Sequence, residues 1–210
     1  MSVGISEDLG KTFTKKKVEI SGVNSYDAVD PHAELINGKI VLYYLGDFST
    51  NMRPGSKFKI YSAGSSDGIS FSDVIEVHAF DEVTTDPDVF ETAVDMRMLV
   101  SQERNLELLV STDEGETFEE VKNFTWSKGG VSDTIEIDGE YYTHYCDAGI
   151  SRATGADEGT LTEEKIGALD DGGQGNIICD PSIIQLPDES YVMYYKMQEA
   201  PQKDLHEPPM

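Results

Sequence analysis

The sequence predicts an all-β protein built from repeated antiparallel units, and three observations lead to this fold class. A hairpin-like phrase that opens on aspartate occurs four times, a shorter Ser-x-Asp phrase recurs between the copies, and no long helical pattern interrupts them. The 210 residues are 38% hydrophobic and include 19 glycines, which is ordinary for a folded β-rich chain and too apolar for a disordered one.

The first repeat begins at Asp30, Asp86, Asp133 and Asp180, at steps of 56, 47 and 47 residues. The four copies read "DPHAELINGKIVLYYLG", "DPDVFETAVDMRMLVS", "SDTIEIDGEYYTHYC" and "DPSIIQLPDESYVMYYK". Each contains two alternating apolar runs, and in three copies Asn-Gly, Asp-Gly or Pro-Asp separates the runs. Asn-Gly and Asp-Gly favour tight hairpin turns because both central residues need a positive φ. The pattern therefore predicts four β-hairpins.

The second repeat reads "VGISEDLGKTF" (3–13), "YSAGSSDGISF" (61–71) and "ELLVSTDEGETF" (107–118), with "AGISRATGADEG" (148–159) as a diverged copy. It resembles the Asp-box of sialidases and related β-propellers. The carboxylate of such a turn can accept backbone N–H bonds, the glycine takes a positive φ, and the phenylalanine packs between sheets. We therefore assign Asp8, Asp67 and Asp113 structural roles.

One hairpin of each kind makes a four-stranded unit of roughly 45–55 residues, the size of a β-propeller blade. The chain opens with a Ser-x-Asp hairpin and closes with an Asp-opened one, so strands from both termini would share a blade and remove exposed edges. We predict a single domain over residues 1–205, a β-propeller with four blades, or five as the alternative. The blades span about 27–82, 83–126, 127–170 and 178–200, the last completed by 1–20, and 206–210 form a tail.

If the first strand of each hairpin is innermost, Asp30, Asp86, Asp133 and Asp180 converge at one mouth of the central channel. Burial and mutual repulsion would raise the pKa values of these carboxyl groups or attract a cation. A structural cation of the calcium type would suit such oxygen ligands, and no other cofactor is expected. The alternative is that each aspartate only caps a turn before its strand.

Loops facing the same mouth supply candidates for substrate contact. These are His32, Arg53, Arg104, Trp126 and Asp147. Trp126 is either a platform on which a sugar ring stacks or a wedge between two blades.

The Asp-Pro hairpins resemble those of the arabinanase and β-xylosidase type of glycosidase propellers. The resemblance implies an inverting glycoside hydrolase in which Asp30 is the general base and Asp133 or Asp180 fills a second, orienting role. The sequence lacks a clear counterpart of that family's acidic Glu motif. A non-catalytic propeller that binds carbohydrate or protein, and a scaffold without a ligand, are therefore retained as alternatives.

The net charge of −24 repels nucleic acid, anionic membranes and polyanionic substrates. The resemblance to glycosidase propellers implies a carbohydrate partner, and we expect a monomer. The first ten residues lack the features of a signal peptide, which predicts a cytoplasmic protein or an exported one whose leader has been removed. Cys146 and Cys179 fit neither a zinc pattern nor a disulfide framework, and we expect reduced, half-buried thiols.

Overall fold

The computed structural model describes residues 1–24, 26–47, 56–124, 126–164, 169–170 and 172–199. Its regular structure is β apart from one 3-10 turn in the described residues, Ala156–Glu158, so the all-β prediction is confirmed. No described helix is long and apolar enough to span a bilayer. The predicted tail, 206–210, lies outside the described residues.

The strands form five sheets, which we name by position. The N-terminal hairpin contains β1 (Ser2–Ile5) and β2 (Thr14–Lys17). Sheet I contains β3 (Glu19–Ile20), β4 (Val29–Ile36), β5 (Lys39–Gly46), β6 (Phe58–Ser65) and β7 (Ser70–Phe80), in the order β3-β7-β6-β5-β4. Sheet II contains β8 (Thr85–Glu91), β9 (Met96–Gln102), β10 (Asn105–Ser111) and β11 (Glu119–Glu120). Sheet III contains β12 (Gly130–Ile137), β13 (Glu140–Cys146), β14 (Ile150–Thr154) and β15 (Thr162–Glu163), and sheet IV contains β16 (Ile177–Gln185) and β17 (Tyr191–Gln198).

The predicted hairpin turns form where the sequence places them. Asn37 and Gly38 join β4 to β5, and Asp138 and Gly139 join β12 to β13, with all four residues at positive φ. Two consecutive residues at positive φ match the right-handed twist of the paired strands. The hairpin assignments follow from this local turn chemistry.

The Ser-x-Asp turns use their side chains to bind the backbone. The Asp113 carboxylate accepts hydrogen bonds from the Ser111 hydroxyl (2.7 Å), the Thr117 amide (2.9 Å) and the Thr117 hydroxyl (2.6 Å). These bonds hold the pKa of Asp113 down at about 2. Turns at Asp8 and Asp67 make similar bonds, whereas the diverged segment 148–159 forms β14 and the 3-10 turn instead.

The core lies mainly between sheets I and II and between sheets II and III. The first interface packs Tyr43, Leu45 and Val89, and the second packs Leu99 and Tyr145. A third apolar cluster joins the N-terminal segment to the outer face of sheet I. The inner strands β4, β8, β12 and β16 pack against one another in that order.

An opening separates the two ends of this series, between β4 and β16. Ala33 in β4 is exposed, whereas its counterpart Val89 in β8 is fully buried against sheet I. On the other side Ile184 in β16 is 44% exposed. We call this space the open sector and define it by Pro31, Ala33, Leu35, Ser182 and Ile184, which all line one cavity.

Closure of the ring by both termini is not confirmed. The N-terminal hairpin and sheet IV remain separate two-stranded sheets in the described part of the chain. They touch through Phe13, whose ring meets that of Tyr194 edge-on at 5.7 Å, and through the Tyr194 hydroxyl, which donates to the Gly10 carbonyl at 3.3 Å. The choice between four and five blades therefore stays open.

The prediction of reduced thiols is wrong, because Cys146 and Cys179 form a disulfide. Cys146 ends β13 and Cys179 lies in β16, so the bond joins sheets III and IV. The two residues are 33 positions apart in sequence. Sequence spacing did not reveal the pairing because it is the packing of neighbouring sheets that brings these two strands together.

Candidate functional site

The same kind of β-bulge interrupts the inner strand of each of sheets I to IV, namely β4, β8, β12 and β16. The ladder shifts by one residue between Val29 and His32 in β4, and equivalent shifts occur in β8, β12 and β16. A bulge of this kind bends the strand and redirects one side chain. In three sheets the bulged residue is an aspartate at positive φ: Asp30 (49°), Asp86 (51°) and Asp180 (52°).

Sheet III departs from the predicted repeat. Its bulged residue is Val131, at φ 50°, so Asp133 is not the counterpart of the other three aspartates. Two residues past the bulge, Asp133 instead corresponds to His32 and Asp88. In sheet III, which lacks Asp-Pro, the aspartate of the sequence repeat lies two residues after the bulged position. In the other three sheets the aspartate occupies the bulged position itself.

A cavity of about 920 Å³ opens among the four inner strands and continues into the open sector. Asp30, Asp86 and Asp180 line it, and we call them the rim aspartates. His32, Glu34 and Asp133 line the same cavity. The structure thus brings all four predicted catalytic aspartates and His32 around one space, with Asp133 in a different structural position.

The rim aspartates perturb one another. Burial, followed by the charges of Asp86 and Asp180, raises the pKa of Asp30 to about 6. Burial also raises the pKa of Asp86, although the Thr85 hydroxyl donates a hydrogen bond to its carboxylate at 2.6 Å. Asp180 instead pairs with the Lys196 ammonium at 2.8 Å. Three equivalent carboxyl groups therefore have three different environments.

A second group of polar residues, the inner cluster, contains His32, Glu34, Asp88 and Asp133. His32 Nε2 lies 3.3 Å from Glu34 Oε1, and side-chain atoms of His32, Asp88 and Asp133 all lie within 4.8 Å of one another. Burial alone lowers the pKa of His32, but the bond to Glu34 and the charges of Asp88, Glu34 and Asp133 together raise it to about 9. The ring is therefore an imidazolium at neutral pH.

The two buried carboxyl groups of the inner cluster differ in how they are satisfied. Asp88 accepts hydrogen bonds from the Ser132 hydroxyl (2.8 Å) and from the amide (3.1 Å) and hydroxyl (2.8 Å) of Thr134. Asp133 accepts one from the Ile183 amide at 2.8 Å. Burial and then the Asp88 charge raise the pKa of Asp133 to about 7. Asp133 thus keeps a titratable proton near neutrality while facing the cavity.

The inner cluster also bears on the expected channel cation. His32, Asp88 and Asp133 have ligand types that suit a divalent ion, but the Asp88 carboxylate is already occupied by three hydrogen bonds. In this cluster His32 also carries a raised pKa and faces these carboxyl groups as a cation. The channel cation therefore stays a prediction.

Of the residues expected to contact substrate, His32 lines this cavity, whereas Trp126, Arg104 and Asp147 do not. Trp126 is buried at 6% exposure and packs edge-on against Tyr145 at 5.2 Å, which is the wedge position between sheets II and III. Arg104 is exposed, and its guanidinium lies 3.8 Å from the Asp147 carboxylate, away from the cavity lining. Arg53 lies outside the described residues.

Asp88 is the residue that sequence reasoning missed. It follows Asp86 by two positions in "DPD", so it lies on the same face of β8 as His32 does on β4. Side chains alternate along a strand, and the position two past the aspartate of each Asp-Pro therefore points in one common direction. That periodicity would have identified Asp88 as a partner of His32.

Comparison with solved structures identifies the fold. No protein-family model matches the chain, and no curated protein matches it. Among solved structures, an endo-1,4-β-xylanase from Bacteroides thetaiotaomicron aligns with a TM-score of 0.67 at 14% identity, over 93% of this chain and 75% of that one. The chain has the fold of β-propeller glycoside hydrolases.

Two further solved structures show the same likeness. The family 43 glycoside hydrolase protein BlXynB of Bacillus licheniformis aligns with a TM-score of 0.65 at 17% identity, over 87% of this chain. A family 117 glycoside hydrolase from Zobellia galactanivorans aligns with a TM-score of 0.58 at 14% identity, over 86% of this chain. This chain spans 39% of the former and 71% of the latter. At these identities the likeness concerns the fold alone.

Proposed function

We propose that the protein is an inverting glycoside hydrolase whose reaction takes place in the cavity between the rim aspartates and the inner cluster. One observation carries the proposal: two carboxyl groups that face this cavity, Asp30 and Asp133, have pKa values raised by different surroundings. Glycoside hydrolysis uses a pair of carboxyl groups, one of which has a raised pKa and donates the proton to the leaving oxygen. The likeness to glycosidase propellers supports the same reaction class.

Asp30 acts as the general base. Its pKa of about 6 leaves it ionised at neutral pH, and its position on the bulge directs it into the cavity. It removes a proton from water, which attacks the anomeric carbon. Asp86 and Asp180 raise its basicity through their charges.

Asp133 acts as the general acid. Its pKa of about 7 keeps a substantial protonated fraction at neutral pH, and that proton passes to the leaving glycosidic oxygen as the bond breaks. Glu34 is a poorer candidate because it is paired with His32. The cavity lining is acidic, so the substrate is a neutral carbohydrate rather than a uronic acid or sulfated glycan.

The test is a screen of aryl arabinofuranosides, xylosides, galactosides and fucosides with the wild-type protein and Asp30→Asn. Asparagine is isosteric and tolerates the left-handed conformation, so the fold should survive. We expect turnover to fall about 10²–10⁴-fold, the usual contribution of a general base. Asp73→Asn is the matched control, since Asp73 also has a positive φ (56°) but does not line the cavity.

Each outcome of this screen has a clear meaning. Loss of turnover in Asp30→Asn alone, with β-anomer products from α-glycosides or the reverse by NMR, supports the inverting mechanism. Equal turnover in both proteins removes Asp30 from the mechanism. Product of retained configuration contradicts inversion even if Asp30 is essential.

The second candidate is a propeller that binds carbohydrate or protein without catalysis. The absence of Trp126 and Arg104 from the cavity lining favours it, because neither the aromatic platform nor the one predicted guanidinium that the structure describes orients a sugar there. Saturable binding of a glycan by calorimetry, without hydrolysis of any aryl glycoside, would establish this alternative.

A further inference from the structure

Sheet IV is attached more weakly than the other sheets. Within the described residues, none of the three apolar clusters includes a residue of β16 or β17. Most of β17 is exposed or half-buried, whereas the corresponding strand β9 is almost entirely buried. Apolar burial is the main force that holds packed elements together, so sheet IV must be retained by other contacts.

Tyr194, which contacts the N-terminal hairpin, and three specific links to sheet III supply those contacts. The disulfide joins Cys146 of β13 to Cys179 of β16. The Asp180 amide donates a hydrogen bond to Cys146 Sγ at 3.1 Å, and the Ile183 amide donates one to the Asp133 carboxylate at 2.8 Å. Two of these three links, the disulfide and the hydrogen bond to Cys146 Sγ, involve the cysteines. The disulfide is therefore the covalent part of a small attachment next to the cavity.

The same links fix a residue of the rim. Asp180 directly follows Cys179, and its carboxylate pairs with Lys196 of β17 at 2.8 Å, opposite Cys179 in the ladder. Asp180 and its counter-ion thus belong to the sheet that the disulfide retains. Both cysteines are half-buried rather than enclosed in a core, which leaves them within reach of a small thiol.

We propose that the Cys146–Cys179 disulfide is a redox-operated clamp whose reduction releases sheet IV, and with it Asp180, from the cavity mouth. A dithiol supplies two electrons and two protons. Its thiolate attacks one sulfur, the S–S bond breaks, both cysteines become thiols, and the reductant closes into its own disulfide. The clamp does not depend on the proposed hydrolase activity, because it concerns the attachment of a sheet.

Hydrogen exchange measured by mass spectrometry tests the clamp. The wild-type protein is compared before and after complete reduction by dithiothreitol, with reduction verified by alkylation of both thiols. We expect protection of the amides in β16 and β17 to fall about tenfold or more, while protection in β9 and β10 is unchanged. Reoxidation should restore the original pattern.

The double variant Cys146→Ala, Cys179→Ala is the control for the reductant itself. It should exchange like the reduced wild type, and dithiothreitol should leave its pattern unchanged. If the double variant does not fold, reduction of the wild type still decides the question. Unchanged exchange in sheet IV after complete reduction overturns the proposal, as does an equal loss of protection in all sheets. Two free thiols in protein purified without reductant and then exposed to an oxidant overturn it as well.

Discussion

Val131 occupies a backbone conformation that valine rarely adopts. Its φ of 50° matches that of the three rim aspartates, but a β-branched side chain clashes with the backbone there, whereas aspartate tolerates it. The position is fixed because the Val131 amide donates to the Ser101 hydroxyl at 2.6 Å. Sheet III therefore stores strain that the other sheets avoid.

We expect Val131→Gly to stabilise the protein by about 1 kcal/mol, since strain of this kind costs on the order of 1–3 kcal/mol and the lost apolar contact offsets part of the gain. Urea unfolding measures the effect. Asp180→Gly is the comparison at an equivalent bulge, and it should not stabilise, because it removes the ion pair with Lys196. Destabilisation by Val131→Gly would show that side-chain packing outweighs strain at this bulge.

Asp30 lowers the stability of the fold at neutral pH. A pKa raised from 3.8 to about 6 means that the folded state binds the proton more tightly than the unfolded state. The free energy of unfolding contributed by this group therefore falls as the pH rises from about 4 to about 6. A shift of two pKa units corresponds to about 3 kcal/mol, which we discount to about 1 kcal/mol because the carboxyl is only half-buried and solvent screens it.

Asp30→Asn should accordingly be more stable than the wild type at pH 7.5 and equally stable at pH 4. Melting temperatures at the two pH values test this. If the variant is inactive, and more thermostable than the wild type only at pH 7.5, the Asp30 charge is kept for function at a cost in stability. An Asp30→Asn protein that melts lower than the wild type at pH 7.5 contradicts the assignment.

At the scale of elements, the inner strands contact the preceding sheet through residues at equivalent positions, three residues after the bulged residue. Val89 of β8 packs against sheet I, and Thr134 of β12 bonds to Asp88 of sheet II. The counterpart in β4 is Ala33, which is exposed and lines the open sector. Among the described inner strands, β4 therefore leaves this face uncovered.

A pair of equivalent substitutions tests whether this sector is open in solution. Ala33→Lys should change the free energy of unfolding by less than about 0.5 kcal/mol, as is usual at an exposed position. Val89→Lys should lower it by more than about 4 kcal/mol, because a charge would be buried in a packed core. A large loss of stability in Ala33→Lys would show that the sector is filled.

The sequence predicts local elements well because turn chemistry and side-chain alternation act over a few residues. Asn37-Gly38 and Asp138-Gly139 mark their turns, and Asp113 makes the predicted bonds to its own backbone. Contacts between sheets depend on register, which a one- or two-residue bulge shifts without a sequence signal. For that reason Asp133 was aligned with the wrong residues, and the Cys146–Cys179 bond was not foreseen.

At the scale of the whole molecule, the buried charges set how stability depends on pH. His144 has its pKa lowered to about 4 by burial and by Arg152, so its contribution to the free energy of unfolding rises as the pH rises from about 4 to 6.5. Asp30 and Asp133 have raised pKa values and act in the opposite direction over much of the same range. His144 therefore offsets only part of the fall in stability that Asp30 and Asp133 cause between pH 4 and 6.5.

Above pH 6.5 the titration of His32 in the inner cluster determines how the free energy of unfolding changes with pH. The pKa of His32 is raised to about 9, so the stability it contributes is complete below about 6.5 and is lost as the pH rises through 9. We expect the free energy of unfolding to fall by about 3 kcal/mol between pH 6.5 and 9. Chemical denaturation across this range should show the fall in the wild type and a nearly flat profile in His32→Gln.

The response to salt distinguishes the contribution of His32 to the pH dependence of stability from the contribution of the surface charge. The net charge of −24 at pH 7 makes the compact state repel itself, so about 0.5 M NaCl should stabilise the protein throughout the range from pH 6.5 to 9. It should leave most of the slope between pH 6.5 and 9 in place, because the His32 side chain is only 13% exposed and Asp88 is buried, so salt screens their attraction less than it screens surface charges. A slope that vanishes in salt would assign the pH dependence to the surface, and an equally steep slope in His32→Gln would assign it to another group.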